Sequence, residues 1–236
     1  MVLSEVFLAI ETALYYLSAM THLPLGHMLG ALILLFSLSS CSLFSSARTK
    51  KIDPNQPFVN PHPPGTHAHF AAEPSYPKTF AIYKNSALYA QADPTKTRMI
   101  LDTSTQRGKL MLGDEVLMDY PISSGRSTHP SPTGRYQVLE KIVDKKSNRY
   151  GKIYDVENKM INGDADFTTD VIPEGGRFEG AFMKYWMRFT WDGVGHHIGP
   201  IPSSRRAVSH GCIRGYYRAM PDVYAKVIVG TPVLIL

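Results

Sequence analysis

Six residues near the C-terminus, Ser209–His210–Gly211–Cys212–Ile213–Arg214, put a thiol, an imidazole, a glycine and a guanidinium in one short stretch. Upstream, Gly193–Val194–Gly195–His196–His197 supplies two more imidazoles. A thiol is a weak nucleophile until a base takes its proton, and an imidazole brought alongside by the fold does that near neutral pH. The pattern points to acyl transfer through a cysteine nucleophile. The competing reading is a small core residue, but Cys212 sits in a polar and charged run rather than an apolar one. His196 and His197 are neighbours, so in a strand they face opposite ways and one of them can reach Cys212. A zinc site from His196 or His197 with His210 and Cys212 has suitable ligand types, yet His-x-Cys lacks the usual structural spacing, and no metal is assigned.

The elements that must position these residues are short and strand-like. Met99–Asp102, Lys109–Leu112 and Glu115–Ile122 carry apolar or alternating patterns separated by polar turns. Tyr136–Leu139 and Ile142–Val143 follow the turn Ser131–Pro132–Thr133–Gly134. Phe182–Trp191 is aromatic and strand-like, and Thr231–Leu236 makes a closing strand. A helix is expected from Pro221 to Ile228, ahead of Gly230. Asn162–Gly180, with Gly163, Pro173, Gly175 and Gly176, reads as a long loop near the site, a lid. No internal repeat is present. The expected fold is mainly β, a compact sandwich or barrel with one or two short helices.

The chain has 236 residues, 44% hydrophobic and 19% charged, which suits one domain with appendages and excludes wholesale disorder. Its net charge of +5 is uneven: all 25 basic residues lie at or after Arg48, while Glu5 and Glu11 precede it. That suits an anionic polymer or membrane surface, but there is no dense basic tract, so nucleic acid is not expected as a partner. Leu29–Leu38 is an apolar run too short to span a bilayer comfortably, followed by Ser39–Ser40–Cys41. This resembles a bacterial lipobox, with Cys41 the lipidation site, although the leader is long and has only His22 and His27 where basic residues usually stand. Initiation at Met20 or Met28 would shorten it; the alternative is an uncleaved anchor. Residues 1–41 are thus assigned to a signal peptide with lipobox or a membrane anchor, 42–77 to a Pro-rich flexible tether, and 78–236 to the catalytic domain. The expected location is the cell envelope, on the extracytoplasmic, periplasmic face, tethered to a membrane.

From about Thr97 to Leu236 the sequence resembles the L,D-transpeptidases with a YkuD-type catalytic domain. Ser209–Arg214 matches that family's SHGC-hydrophobic-Arg/Asn signature, and Gly193–His197 is similar to its upstream Gly-hydrophobic-x-x-His segment. Pro121–Gly125, Ser131–Gly134 and Gly230–Val233 match its turns and closing strand in the same order. The resemblance implies that Cys212 is the nucleophile and His197 the base and later acid, its tautomer fixed by the Ile198 carbonyl. It implies that Ser209 and His210 support the nucleophile turn, that backbone N–H groups around Gly211 and Cys212 form an oxyanion hole, and that Arg214 adds positive charge near the thiolate or substrate carboxylates. His196 is then a supporting or surface residue, and Tyr185, Trp186 and Phe189 either wall the cleft or belong to the core. Two departures stand out: Gly215 replaces a larger apolar residue, and only eleven residues separate His197 from Ser209.

The implied substrate is the peptide stem of peptidoglycan. A thioester would form with release of a terminal D-residue, and an amine acceptor would resolve it as a 3→3 cross-link, with no metal or organic cofactor. The same chemistry with water would make an L,D-carboxypeptidase, and with a protein amine a protein-to-wall attachment enzyme. A non-catalytic wall-binding lipoprotein is the alternative of a different class. The sequence does not fix an oligomeric state.

Overall fold

The computed structural model describes residues 57–236. The leader, Cys41 and the first part of the expected tether lie outside the described residues. The described chain opens with α1 (His67–Ala72), β1 (Tyr83–Lys84), α2 (Ser86–Gln91) and a 3-10 turn at Pro94–Lys96. An antiparallel run follows: β2 (Thr97–Asp102), β3 (Arg107–Leu112) and β4 (Glu115–Ser123). Next come β5 (Gly134–Gln137) and β6 (Glu140–Ile142), then a separate three-stranded sheet of β7 (Lys146–Tyr154), β8 (Met160–Asp166) and β9 (Arg177–Phe182). The chain ends with β10 (Trp186–Arg188), β11 (Gly195–Ile198), β12 (Ile213–Gly215), α3 (Met220–Ala225) and β13 (Pro232–Ile235). Among the described residues no helix is long and apolar enough to cross a membrane.

The larger sheet has the order β5-β13-β2-β3-β4-β12-β11-β10-β6, with β1 added beside β4. Its two ends, β5 and β6, are separated in sequence by only Val138 and Leu139, so the sheet has to curl. The link itself fastens the ends: Val138 N–H bonds the Thr231 carbonyl beside β13, and Leu139 N–H bonds the Arg188 carbonyl of β10. The result is a half-barrel, mainly β as expected. The pairs β2/β13 and β11/β12 are parallel; the other pairs are antiparallel.

The core follows from the apolar alternation. Met99 and Leu101 of β2, Leu110 of β3, and Leu117, Met118, Tyr120 and Ile122 of β4 are essentially sealed from solvent, with Met187, Ile213 and Val223. Burial on this scale contributes about 1.5–3 kcal/mol per large side chain. α3 begins at Met220, beside Pro221 as expected, but stops at Ala225 rather than Ile228. Neighbouring side chains take its terminal carbonyls: Thr97 Oγ1 donates to the Lys226 carbonyl at 2.6 Å and Lys141 Nζ to that of Tyr224 at 2.8 Å.

Three expectations need correction. The stretch 162–180 is not one long loop, because β8 and β9 occupy both its ends and leave Phe167–Gly176 as the connection. The strand-like run 182–191 is broken at Tyr185, whose φ of 57° no strand can hold. The described part of the expected tether, 57–77, is not extended throughout. Thr66 caps α1 by accepting from His69 N–H at 3.1 Å, and the segment is held to the domain by buried polar contacts. His67 Nε2 lies 2.7 Å from Asp119 Oδ2, Tyr76 OH donates to the same oxygen at 3.1 Å, and Arg107 Nε donates to Oδ1 at 2.6 Å. Phe58–Leu236 is accordingly one compact unit, which begins well before residue 78. Burial pushes the Asp119 carboxyl up, but hydrogen bonds from His67 and Arg107 outweigh it and hold the group below its ordinary value.

Candidate active site

The parallel pair β11/β12 decides what the adjacent histidines do. Its register sets His196 opposite Ile213, His197 opposite Arg214 and Ile198 opposite Gly215. Side chains alternate, so His196 and Ile213 enter the core while His197 and Arg214 share the other face and line a cavity of about 400 Å³. His196 is completely buried, its Nδ1 2.7 Å from the Ile213 carbonyl and its Nε2 3.1 Å from the Tyr120 hydroxyl. With both nitrogens engaged, it is a satisfied core residue. Gly215 belongs to the same packing: a Cβ there would lie 2.1 Å from Met220 Sδ and 2.7 Å from His196 Cε1. The departure from the family pattern at Gly215 thus accommodates His196 and Met220.

His197 has a different environment. Its Nδ1 is 2.8 Å from the Ile198 carbonyl, which only accepts, so the proton sits on Nδ1 and Nε2 carries the lone pair. Trp186 packs beside the ring at 5.8 Å. Burial lowers the imidazole's affinity for protons; the Ile198 hydrogen bond opposes this and the charges of His196 and Arg214 add to it, leaving a pKa of about 4. His197 is therefore neutral at physiological pH and able to accept a proton.

Cys212 is a free thiol, partly exposed in the same cavity. Its Sγ lies 3.7 Å from the Gly193 carbonyl. Burial pushes the thiol above its ordinary pKa, with Asp192 adding to the rise, while the Gly195 N–H and Arg214 oppose it. At rest the cavity thus holds a neutral thiol and a neutral imidazole.

The turn carrying Cys212 is pinned from several sides. Val208 and Ser209 N–H both donate to the Ser124 carbonyl, at 3.0 and 3.1 Å, and Arg126 N–H to the Ser209 carbonyl at 2.9 Å. Ser209 Oγ donates to the Cys212 carbonyl and accepts from Gly211 N–H at 3.2 Å. Gly211 has φ +110°, a conformation that side chains rarely adopt. Its N–H is spent inside the turn, so the expected pair of oxyanion donors loses one member. The Cys212 N–H has no hydrogen-bond partner among the described residues and remains as a donor. Ser131 Oγ completes the brace by donating to the Gly211 carbonyl at 2.7 Å while accepting from Gly125 N–H at 2.9 Å. The sequence marked Ser131 as a turn residue and missed this role.

His210 lines the cavity but is tied elsewhere. His210 Nε2 lies 2.6 Å from Arg126 Nη2, a donor, and 3.4 Å from Asp164 Oδ1, an acceptor. The ring stacks on Tyr150 of β7 at 4.3 Å, and Arg126 also pairs with Asp164 of β8 at 3.1 Å. His210 thus joins the Cys212 turn to the second sheet. Burial lowers its pKa, against the pull of Asp164.

The remaining candidates divide. Trp186 is both buried and on the cavity wall, its Nε1 donating to Glu140 at 3.1 Å. Tyr185 does not line the cavity; it packs on the core and on Tyr224, with ring centroids 5.3 Å apart. Phe189 is core. Sequence reasoning missed the wall built from Lys145, Arg149, Tyr150 and Met183, together with Arg188 and the exposed Trp191. The polar, non-alternating sequence of β7–β9 carried no signal for it. Among the described residues no three His, Cys, Asp or Glu side chains group to hold a metal.

A family model described as the L,D-transpeptidase catalytic domain, YkuD, matches residues 96–235, and the chain belongs to this family. Solved structures similar to it include an L,D-transpeptidase from Mycobacterium smegmatis, at 23% identity and TM-score 0.45 over 60% of this chain and 58% of that one. A mutant L,D-transpeptidase from Enterococcus faecium is 24% identical, with TM-score 0.43, over 60% of this chain and 50% of that one. L,D-transpeptidase 3 from Mycobacterium tuberculosis, in complex with a faropenem-derived adduct, is 21% identical, with TM-score 0.43, over 59% and 60%. The chain thus spans between half and three-fifths of these proteins' lengths. No curated protein matches the sequence.

Proposed function

We propose that the protein is a cysteine-dependent L,D-transpeptidase acting on the peptide stems of peptidoglycan. The observation that carries this reading is the shared cavity. It holds a thiol and an imidazole whose free nitrogen is Nε2, on a domain of the YkuD family.

In the proposed reaction Cys212 Sγ attacks the carbonyl of the third stem residue as His197 Nε2 takes the thiol proton. Charge developing on the carbonyl oxygen is met by the Cys212 N–H. The C–N bond breaks, the imidazolium delivers its proton to the departing amine of the terminal D-residue, and a thioester remains. An acceptor amine then attacks the thioester, its proton passing through His197 to the leaving thiolate, and the new amide is a 3→3 cross-link. Arg214, beside His197 in register and on the same cavity wall, would meet the carboxylate of the departing residue, one carbon from the amine that His197 would protonate.

A lipid on Cys41, or an uncleaved apolar anchor, would hold the domain at the membrane on the extracytoplasmic side, facing a meshwork parallel to it. The support is the apolar run ending in Ser39–Ser40–Cys41. Metabolic palmitate labelling of wild type against Cys41→Ala tests it, and an unlabelled wild type removes the lipid from the account.

The decisive test of the reaction is mass spectrometry of the full-length protein incubated with a disaccharide-tetrapeptide, beside its Cys212→Ala variant. Loss of the terminal residue with a dimeric product is expected. Loss without dimer would make water the acceptor, and no change from folded protein would sink the enzymatic reading.

A further inference from the structure

The charges on the cavity wall are unbalanced in a way that the proposed chemistry leaves unused. Lys145, Arg149, Arg188 and Arg214 line the cavity against a single carboxylate, the exposed Asp192. Two of the four cations are occupied. Arg149 is bound to Asp166 through three contacts of 2.8 to 3.1 Å, and Arg188 Nε, buried without a hydrogen bond, has the Glu140 carboxylate 3.5 Å away as its counter-ion. The other two are not. Arg214 has one carbonyl contact, to Pro200 at 3.3 Å, and no carboxylate within reach; Lys145 makes no side-chain hydrogen bond or ion pair among the described residues. These two come from different walls: Arg214 from β12 beside the base, Lys145 from the chain entering β7, held there by its carbonyl accepting from Met183 N–H at 2.8 Å.

A cation on a cavity wall with no anion beside it is available to a ligand that brings one. Resting on the transpeptidase reading, Arg214 is matched by the carboxylate of the departing D-residue. Lys145 then has no partner in that bond's immediate surroundings. It needs a second carboxylate, displaced from the scissile amide toward the second sheet. The side chain of the third residue branches from the α-carbon next to the carbonyl that Cys212 would attack, and in a diamino diacid it ends in both an amine and a carboxylate.

We propose that Lys145 is a specificity-determining residue that binds a free side-chain carboxylate on the third residue of the donor stem. The site therefore selects dianionic donors over donors in which that carboxylate is amidated or missing. An ammonium suits the task because it acts as a point charge on a flexible stem, able to follow a side chain rather than clamp a fixed plane.

The test compares two tetrapeptide donors that differ only at that group, carboxylate against carboxamide, with the full-length protein. Wild type should favour the free acid in kcat/KM by about tenfold or more, the usual weight of one charge-assisted hydrogen bond. In Lys145→Met the ratio should fall toward one, and Lys145→Arg should restore most of it. Equal rates for both donors in wild type, or an undiminished ratio in Lys145→Met, would overturn the proposal. So would a loss in Lys145→Met that is the same for both donors, which is what a purely structural role predicts. Calorimetric binding of both donors to Cys212→Ala reads the same preference without any reaction. If neither donor turns over, the transpeptidase reading fails on its own, and unequal or equal binding still decides the fate of Lys145.

Discussion

The two sheets face one cavity but are held together by different forces. The ten-stranded sheet is built on a sealed apolar core: Leu101, Leu110, Leu117, Tyr120, Ile122, Met187 and Ile213 have essentially no exposed surface. The three-stranded sheet has almost none of this. Gly151, Ile153 and Ala165 are buried, while Met160, Ile161 and Phe182 are half exposed or more. Its hold on the Cys212 turn is polar and aromatic, through the His210–Tyr150 stack and the Arg126–Asp164 pair. Cys212, His197 and Arg214 stand on or beside the first sheet; Lys145, Arg149 and Tyr150 belong to the second. On the proposed mechanism, the division would place bond-making groups where geometry is most rigid, and donor-facing groups where the chain opens at least cost.

The largest expected effect tests the rigid side. Cys212→Ala should remove turnover by at least about a thousandfold with an unchanged melting temperature. Residual turnover near wild type would mean that the nucleophile lies elsewhere. His197→Ala should follow with a loss of about a hundredfold or more in kcat, again with little change in stability. His196→Ala should invert that pattern, keeping kcat within a few-fold but losing about 2–4 kcal/mol of stability, because it leaves a cavity and orphans the Tyr120 hydroxyl and Ile213 carbonyl. If His196→Ala were the variant that lost kcat, His196 would be the residue facing the thiol, and β11 would pair with β12 in a different register.

Acid sharpens the same contrast. Both histidines are buried and lowered from 6.5 to about 4, mainly by burial. The unfolded chain therefore binds these two protons more readily than the folded one. Stability is complete above about pH 6.5 and falls as pH drops toward 4, by at most about 3 kcal/mol for each histidine. Denaturant titrations across this window should show proton uptake on unfolding, and His196→Phe should remove roughly half of it. A flat profile would mean that neither imidazole is held neutral.

What the sequence revealed follows the same division. The strands of the first sheet were legible as short apolar runs between polar turns, as in Met99–Asp102 and Lys109–Leu112, or as alternation, as in Glu115–Ile122. The cysteine signature was legible because its residue types make sense together only as chemistry. Parity in a strand said that His196 and His197 must part ways, but which faced the thiol depended on the partner strand, since only the β11/β12 register puts Ile213 under one and Arg214 beside the other. The second sheet was illegible for a physical reason. Met160–Asp166 reads Met-Ile-Asn-Gly-Asp-Ala-Asp, with no apolar face to announce a strand, and its stability comes from cross-strand bonds and side-chain pairs that appear only in three dimensions. The docked segment at 57–77 hid likewise, since its contacts with Asp119 and Arg107 lie more than 25 residues away in sequence. The bracing roles of Ser131 and Arg126 were hidden because each bonds partners distant in the chain, and Lys145 was hidden because only the fold brings it to the cavity wall.

The smallest effect is the most informative about how the two sheets cooperate. Asp164→Asn keeps the size of the side chain but removes the charge that Arg126 pairs with at 3.1 Å. Both groups are substantially exposed, so global stability should change by less than about 1 kcal/mol. The guanidinium of Arg126 would then lose the carboxylate that orients it and His210 its own 3.4 Å contact with that carboxylate, so the stack of His210 on Tyr150 would be the main remaining tie between the Cys212 turn and the second sheet. Amide exchange should accelerate in β7–β9 and stay slow in β2–β4, with a few-fold fall in kcat/KM carried by KM. Exchange that accelerates equally in both sheets would mean that they open as one unit and that the division drawn between them is false. Exchange unchanged in both, with KM intact, would leave the Tyr150 stack as sufficient anchor by itself.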